Sequence, residues 1–287
     1  LKSGYHEPEF YREMWSALKE HGSWRGEIWN RRKNGEIYPE WLTISAVRNS
    51  KGETTHFVST FIDITQRKEA EEQIQFLAFY DPLTRLPNRR LLHERIQLSL
   101  SSSIRRTCHA ALLVIDVDNF KTLNDSMGHD VGDLLLRQVA LRLRESVGSN
   151  DTVARVGGDE FVVLLEELAE NLHEALGQIE HIARNILQTL GKAYQFGEIF
   201  HHCTASIGAV PFKDGGETIE SLLKSADMAM YKAKNAGKNT LRFYDPTMQT
   251  EIEKQAVLER ELRAALAEKQ FVLHFQPQCD HTGLSFG

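Results

Sequence analysis

The chain has 287 residues, of which 41% are hydrophobic and 26% are charged, and its net charge is −6. This composition is ordinary for a globular protein and is enough for one large or two modest domains. The negative charge gives no general attraction to nucleic acid or to an anionic membrane, so neither is expected as a partner of this fragment.

The sequence has no signal-peptide pattern and no apolar run of the roughly 18 residues that a membrane helix needs. Its cysteines, Cys108, Cys203 and Cys279, lie far apart without CxxC spacing, which indicates reduced thiols. Both observations predict a cytoplasmic protein. Because the chain starts at Leu1 without Met and stops on TGLSFG, we interpret it as a piece of a longer protein, whose membrane tethering stays open.

Residues 1–64 are predicted to form a helix followed by a β-meander. The helix YREMWSALKEHG ends on Gly22, a plausible stop. Asn34-Gly35 and Lys51-Gly52 mark turns between segments of alternating character. We expect these apolar residues to form the sheet core: Trp41, Ile44, Phe57, Val58, Phe61 and Ile62.

Residues 65–80, TQRKEAEEQIQFLAFY, are predicted to form a linker helix with Thr65 as its N-cap. Ala70, Ile74, Leu77 and Ala78 make one narrow apolar stripe along it. Two interpretations stay open. The helix could lie on its own domain, or it could pair two protomers as a coiled coil, which we favour and which predicts a homodimer.

Residues 81–246 are predicted to form one α/β domain, because strands alternate with long amphipathic helices. The predicted helices are RRLLHERIQLSLSSS, VGDLLLRQVALRLRESV, NLHEALGQIEHIARNILQTL and ETIESLLKSADMAMYKAKNAG. AALLVIDVD, CTASIGAVPF and LRFYD are predicted strands, and TVARVGGDEFVVLLEE is a predicted hairpin, which makes the central sheet mixed. Residues 247–287 are predicted to continue as a charged helix and a first strand, FVLHFQPQ, of a further domain.

The predicted hairpin carries two acids, Asp159 and Glu160, directly after Gly157-Gly158. The glycines suit a type I′ turn, in which both central residues have φ > 0. That structural role explains the glycines but not the acids. Carboxylates beside a glycine turn can hold a cation under a phosphate, and the missing side chains let the phosphate approach the backbone.

A second acidic position, Asp116 and Asp118, ends the buried strand LLVIDVD. Ligands of open α/β sheets bind at the carboxyl ends of strands. If the hairpin pairs beside this strand, Asp116 converges with Asp159 or Glu160 in a site suited to Mg²⁺ and a nucleoside triphosphate. Three lysines could then meet the phosphates, although each one alone is more often a solvated surface charge: Lys121, Lys234 and Lys238.

RVGGDEF resembles the signature of the GGDEF family, the diguanylate cyclases. Three further stretches resemble the family's other motifs in the family's order. They are DPLTRLPNRR (81–90), IDVDNFKTLNDSMGHDVGD (115–133) and SADMAMYKAKNAGKN (225–239). The resemblance implies a fold like that of nucleotide cyclases and polymerase palm domains, with a central mixed sheet flanked by helices.

The resemblance also implies the reaction: two GTP molecules, one per domain, are condensed into cyclic di-GMP with release of two pyrophosphates. It assigns Mg²⁺ (or Mn²⁺) to Asp116, the Val117 carbonyl, Asp159 and Glu160. Asp159 or Glu160 would activate the attacking hydroxyl, and Lys121 would assist. Asn and Asp side chains can bond a guanine edge, and lysines neutralise phosphate charge. The implied substrate-binding residues are Asn124, His129, Asp133, Gly157, Gly158, Lys234 and Lys238.

One family feature is altered in this sequence. Many members carry an inhibitory product site, RxxD, five residues before GGDEF, where this chain has GSND, Gly148 to Asp151. Glycine cannot supply the bidentate donors of a guanidinium, so we expect weak or no product inhibition through this site. Arg144, one helical turn earlier, is the alternative donor.

The flanking segments resemble other signalling modules. Residues 24–65, within and just after the first predicted segment, resemble the C-terminal half of a PAS domain that ends in Asp63-Ile64-Thr65, without the half that forms the ligand pocket. LERELRAALAEKQFVLHFQPQ resembles the start of an EAL domain, the cyclic di-GMP phosphodiesterase. Three hypotheses follow: an active diguanylate cyclase, a GTP-binding domain that regulates a downstream phosphodiesterase without turnover, or a purely structural dimerisation unit.

Overall fold

The computed structural model describes residues 3–106, 108–213 and 216–248, and then 258, 261–266, 268 and 270–272. The chain divides into two units, Leu1–Phe79 and Tyr80–Gly287. Outside the described residues lie 273–278 of the predicted strand FVLHFQPQ, most of the predicted helix before it, and Cys279. The predicted limits at 64, 80 and 246 stay predictions.

The first unit consists of a helix, a three-stranded antiparallel sheet whose strands pair in chain order, and a second helix. As predicted, the first helix ends at Gly22, whose φ of 73° is the left-handed conformation common at helix C-termini. The elements are α1 (Pro8–His21), β1 (Ser23–Arg31), β2 (Ile37–Arg48), β3 (Thr54–Asp63) and α2 (Thr65–Phe79).

The predicted core of this sheet is largely wrong. Ile44 is buried with Met14 and Leu18 of α1, but the other five predicted residues are 40–66% exposed. The reason is geometric: successive side chains of a strand point to opposite faces, and α1 contributes only these two buried residues to one face. The predicted core residues that are exposed are Trp41, Phe57, Val58, Phe61 and Ile62.

The linker helix α2 begins differently from the prediction. Thr65 is the first helical residue, and its N–H and hydroxyl both donate to Asp63 Oδ1, at 2.9 and 2.6 Å. Asp63 rather than Thr65 therefore supplies the accepting oxygen. Every side chain of α2 is at least partly exposed, with Ile74 at 67%. The apolar stripe is not covered within this unit, and its pairing as a coiled coil stays a prediction.

The second unit has a five-stranded mixed sheet, which confirms the predicted fold class. Its strands lie in the order β10 (Leu241–Phe243), β9 (Ala205–Phe212), β4 (Ala110–Val117), β6 (Glu160–Leu165) and β5 (Thr152–Gly157). Strands β9 and β10 are parallel, and the other neighbours are antiparallel. The elements are α3 (Arg89–Arg106), β4 (Ala110–Val117), α4 (Phe120–Met127), α5 (His129–Glu145), β5 (Thr152–Gly157), β6 (Glu160–Leu165), α6 (Leu172–Leu190), β7 (Tyr194–Phe196), β8 (Ile199–His201), β9 (Ala205–Phe212), α7 (Ile219–Asn235) and β10 (Leu241–Phe243).

The central strand β4 is buried along its whole length because helices cover both faces of the sheet. Its alternate residues Leu113 and Ile115 belong to the core cluster that contains α5 and α6. Leu112 and Val114 belong to the opposite cluster, with α3 and α7. Burial on both faces explains why the strand reads as a continuous apolar run in the sequence.

Two further observations concern the chain as described. Cys108 and Cys203 are free thiols, as predicted. No helix in the described ranges combines the length and apolar character needed to cross a membrane.

Candidate active site

The carboxyl end of β4 meets the glycine hairpin. Asp116 of β4 and Glu160 of β6 are directly opposite each other in the antiparallel register. Opposed residues of this kind have Cβ atoms about 4.5–5.5 Å apart on the same face. In the turn, the Asp159 carbonyl accepts a hydrogen bond from the Val117 N–H at 3.3 Å. The predicted convergence of Asp116 with the acids of the hairpin is therefore present.

The turn itself differs from the predicted type I′ geometry. Gly157 ends β5 and pairs with Glu160 after a register irregularity, so the two central residues are Gly158 and Asp159. Gly157 and Gly158 have positive φ values of 155° and 51°, whereas Asp159 has no positive φ. A type I′ turn needs two positive φ values at its centre, so this prediction is wrong. Asp159 is carried by the turn itself.

Lys234, near the C-terminus of α7, forms an ion pair with Asp116, with 2.7 Å between Nζ and Oδ2. Burial raises the pKa of Asp116, the hydrogen bond from Lys234 opposes this, and the charges of Asp159 and Glu160 raise it again, with a net upward shift. Lys234 is thus the group that favours the charged form of the Asp116 carboxyl, against burial and the two neighbouring acids.

The other two predicted lysines lie after α7 (Lys238) and in α4 (Lys121). Lys238 Nζ donates to Asn119 Oδ1 at 2.6 Å, which ties the loop after α7 to the loop between β4 and α4. Lys121 is exposed in the first turn of α4. Lys234 and Lys238 therefore contact residues at the end of β4, while Lys121 points to solvent.

Asp118 differs from Asp116 although the two are only two positions apart. Its carboxylate accepts from Thr204 Oγ1 at 2.6 Å, Ser206 Oγ at 2.7 Å and the Asn239 N–H at 3.2 Å. Only 3% of Asp118 is exposed. These contacts join β9 and the loop before β10 to the end of β4, so Asp118 has a structural role.

The residues implied in base recognition lie on the adjacent helices α4 and α5. His129 and Asp133 are four positions apart on α5, hence on one side of the helix, and both are exposed. Asn124 of α4 is half-buried, and its Oδ1 is a buried acceptor that has no hydrogen-bond partner among the described atoms. This arrangement leaves acceptors available near the start of α5.

Asp81 and Arg155 are site residues that the sequence analysis missed. Arg155 donates to Asp81 and, through Nε and Nη2, to the Gly158 carbonyl at 3.0 and 2.8 Å. The pair thus holds the turn that carries Asp159. The only sequence signals were that Asp81 opens DPLT and that Arg155 precedes the turn; no spacing rule joins residues 74 positions apart.

The donor set suits a hard cation. Among the described residues, no three His, Cys, Asp or Glu side chains form a metal cluster. The oxygens available are the carboxylates of Asp116, Asp159 and Glu160 and the Val117 carbonyl, close to the end of one strand. Mg²⁺ is usually held by one or two carboxylates together with substrate phosphates. The residues therefore fit Mg²⁺ or Mn²⁺ bound jointly with a nucleotide.

The altered inhibitory motif lies away from this site. Gly148 and Asp151 precede β5, whereas the turn follows it, a separation of about 20 Å along the six-residue strand. Asp151 already accepts the N–H groups of Gly148 at 2.8 Å and Glu166 at 3.0 Å. A groove of 600 Å³ here is also lined by three arginines: Arg85, Arg95 and Arg144.

Comparison with known families identifies both units. Residues 78–240 match the GGDEF domain of diguanylate cyclases, and residues 4–66 match a PAS domain. The chain belongs to the GGDEF family, because this match covers more than half of it. The PAS–GGDEF arrangement inferred from the sequence is confirmed, and the EAL interpretation of the last segment stays a prediction.

Individual relatives agree with this assignment. The bifunctional diguanylate cyclase/cyclic di-GMP phosphodiesterase MucR of Pseudomonas aeruginosa is 39% identical over 219 residues, 76% of this chain and 31% of MucR. The Escherichia coli cyclic di-GMP phosphodiesterase PdeR is 32% identical over 221 residues, 77% of this chain and 32% of PdeR. The chain thus spans about a third of the length of these two relatives.

Solved structures show the same fold. The GGDEF domain of TpbB (YfiN) from Pseudomonas aeruginosa is 33% identical and superposes with a TM-score of 0.57. The aligned region covers 61% of this chain and 99% of the TpbB domain. The coiled coil and GGDEF domain of DgcB from Caulobacter crescentus, in complex with c-di-GMP, is 25% identical with a TM-score of 0.55, covering 63% and 93% of the two chains.

Proposed function

We propose that this chain is an active, Mg²⁺-dependent (or Mn²⁺-dependent) diguanylate cyclase that condenses two GTP into cyclic di-GMP and releases two pyrophosphates. One observation carries the proposal: Asp116 and Glu160 face each other at the end of the central strand, beside the turn that holds Asp159. A purely structural hairpin would not need three acids at this point, because like charges this close repel one another.

Each group has a place in the proposed reaction. Asp116, Asp159, Glu160 and the Val117 carbonyl hold the cation, which when bound neutralises phosphate charge and polarises the α-phosphate. Lys234, Lys238 and Lys121 meet the remaining phosphate charge. Gly157 and Gly158 let the phosphates approach the backbone, and Asn124, His129 and Asp133 bind the guanine.

The chemical step is a nucleotidyl transfer. The 3′-oxygen of one GTP bonds to the α-phosphorus of the other, and the bond from that phosphorus to the bridging oxygen of the β-phosphate breaks, so that pyrophosphate leaves. A carboxylate of Asp159 or Glu160 accepts the hydroxyl proton. In a second step the two nucleotides exchange roles: the 3′-oxygen of the second bonds to the α-phosphorus of the first. This closes the ring and releases the second pyrophosphate.

The reaction requires two domains, because each one holds a single GTP. We infer a homodimer in which α2 pairs with its copy through the stripe that includes Ile74, which is 67% exposed. Such a helix can switch turnover by setting how the two bound nucleotides meet. The location of the chain is expected to be cytoplasmic.

A second candidate is a GTP-binding domain that regulates a downstream phosphodiesterase without turnover. It is favoured by the relatives that are named cyclic di-GMP phosphodiesterases, PdeR among them, which match over the same length. Incubating the chain with GTP and Mg²⁺ separates the candidates. Cyclic di-GMP with pyrophosphate supports the cyclase, and saturable GTP binding without product supports the regulator.

The matched control is the Asp159→Ala, Glu160→Ala double variant, which should form no cyclic di-GMP under the same conditions. Product formation that survives in this variant would contradict the assignment of the site. No GTP binding by the unmodified chain would leave only a structural dimerisation unit.

A further inference from the structure

Gly132 of α5 lies against the side chain of Asn124 in α4. A Cβ atom at position 132 would stand 1.9 Å from Asn124 Oδ1 and 3.0 Å from its Cγ, and 3.2 Å from Phe120 Cζ. Non-bonded carbon and oxygen atoms do not approach to 1.9 Å, so the carboxamide of Asn124 occupies the space that any other side chain at position 132 would fill.

The atoms around Gly132 differ from those around a glycine that is needed only for packing. The missing Cβ of Gly208, by contrast, would meet backbone atoms of α7, at 2.1 Å from the Ala226 carbonyl and 2.2 Å from the Met230 nitrogen. Gly208 therefore lets a helix approach a strand. Gly132 instead makes room for one functional group on a flexible side chain.

The carboxamide of Asn124 is not fully hydrogen-bonded. Asn124 Oδ1 is buried and has no hydrogen-bond partner among the described atoms. A buried acceptor without a donor is unfavourable, and native proteins retain one mainly where a ligand or water supplies the donor. The next residue along α5, Asp133, is an exposed carboxylate that also only accepts. Two acceptors match a base edge that carries two donor groups.

We propose that Gly132 is a positioning residue for base recognition: its missing side chain allows Asn124 to hold its carboxamide oxygen ready for an N–H donor of guanine. The proposal rests on the proposed function, because it names how the same site selects its nucleotide. Adenine presents a mixed donor and acceptor edge, which two acceptors bind less well.

The test is Gly132→Ala, with binding measured by calorimetry. The probes are GTP and ATP analogues with a methylene bridge between the α- and β-phosphates, which cannot release pyrophosphate. Alanine is a better helix former than glycine, and the Asn124 side chain can rotate away, so the melting temperature should be unchanged or higher. The affinity for the GTP analogue should fall at least about tenfold, as expected when a hydrogen bond is lost, and the preference over the ATP analogue should shrink.

Gly177→Ala is the matched control. Gly177 also lies inside a helix, α6, and no atom lies within 4 Å of its missing Cβ. This variant should bind both analogues as the unmodified chain does. A merely structural role for Gly132 would change the melting temperature and leave the preference for guanine intact, which would overturn the proposal.

The Asn124→Ala background supplies a second readout. Once the carboxamide is gone, adding Gly132→Ala should cause no further loss of affinity, whereas additive losses would overturn the proposal. If Gly132→Ala alone lowers the melting temperature, Asn124→Ala should restore it. An unmodified chain that binds no GTP analogue would overturn the proposed function and this inference together, but normal GTP binding by Gly132→Ala would overturn the inference alone.

Discussion

Arg155 donates two hydrogen bonds to Asp81, at 3.0 Å to Oδ1 and 3.1 Å to Oδ2. The two side chains are only 12% and 18% exposed. Asp81 also accepts from the N–H and hydroxyl of Thr84, at 2.8 and 2.6 Å. Because Arg155 bonds the Gly158 carbonyl as well, Asp81 and the turn that carries Asp159 are joined through one guanidinium.

Replacing Arg155 by Met should destabilise the second unit by about 3 kcal/mol, since it leaves the largely buried Asp81 carboxylate without its counter-charge. Urea unfolding measures this loss. The matched control is Arg184→Met: Arg184 pairs with Glu180 on the surface with 70% of its side chain exposed, and exposed pairs of this kind contribute little. An equal loss of unfolding free energy in both variants would show that the Arg155–Asp81 pair stabilises the fold no more than an exposed ion pair does.

The Arg155 contribution should depend on pH. Burial tends to raise the pKa of Asp81, but hydrogen bonds from Thr84 and Arg155 outweigh it, so the pKa is lowered. A lowered carboxyl pKa stabilises the fold above the unfolded-state value of about 4, and this is lost as the pH falls through the folded-state pKa. The difference between the chain and Arg155→Met should therefore shrink below about pH 4, and a difference that grows there would contradict this.

Lys234→Met should also lose stability in a pH-dependent way, although the pKa of its partner Asp116 is raised rather than lowered. The pKa of Asp116 is already raised, and loss of Lys234 should raise it further beside Asp159 and Glu160. A raised carboxyl pKa favours the fold at low pH, and this advantage is lost as the pH rises through the folded-state pKa. The variant should thus lose more stability near pH 7 than near pH 4.

Added Mg²⁺ provides a second measurement on the same variant. It should raise the melting temperature of Lys234→Met more than that of the unmodified chain, because a hard cation can replace the missing charge. Lys192→Met, which removes an exposed lysine elsewhere, is the control and should respond to Mg²⁺ as the unmodified chain does. Equal responses of all three proteins would argue against a cation site at Asp116.

Substitution of Asp116 should affect activity, whereas substitution of Asp118 should affect stability. Asp116→Asn should lower cyclic di-GMP formation by about 100-fold or more while stability at pH 7 is kept, since the buried charge of Asp116 is unfavourable there. Asp118→Asn should lose about 2 kcal/mol, because its carboxylate accepts three hydrogen bonds. It should still turn over GTP below its melting temperature. Swapped phenotypes would reverse the assigned roles.

Charges on the linker helix should separate the protomers. Ile74→Glu with Leu77→Glu places like charges in the proposed seam, while both positions are exposed, so the melting temperature should not change. Light scattering on a sizing column should show monomers, and cyclase activity should fall with the dimer. Gln73→Glu is the control on the same helix. A variant that stays dimeric and active would exclude the stripe as the seam.

Product inhibition through the altered motif should be weak. Asp151 already accepts two backbone N–H groups, and Gly148 offers no guanidinium. Titrating cyclic di-GMP into the turnover assay should inhibit the chain and Asp151→Ala equally. Tight inhibition that Asp151→Ala abolishes would contradict this, and its loss in Arg144→Ala would identify the substitute donor.

Much of the second unit could be predicted because its signals are local. The apolar run of β4 and the periodic helices α3, α5, α6 and α7 each report burial through their own pattern. The helix α4 and the hairpin β7–β8 are too short for such a pattern and were missed. In the first unit the prediction failed: the apolar residues Phe57 and Phe61 lie on one face of β3 and Ile62 on the other, and all three are exposed.

The order of residues along the chain by itself determined the family, the strand that ends in Asp116 and the hairpin that carries Asp159 and Glu160, because these depend on neighbours in sequence. Only the tertiary structure decided which acid faces Glu160, that Asp118 holds β9, that Arg155 reaches Asp81 and that Gly132 makes room for Asn124. These are contacts between distant segments, and strand register and helix packing, which place them, are set by the whole core rather than by any one motif.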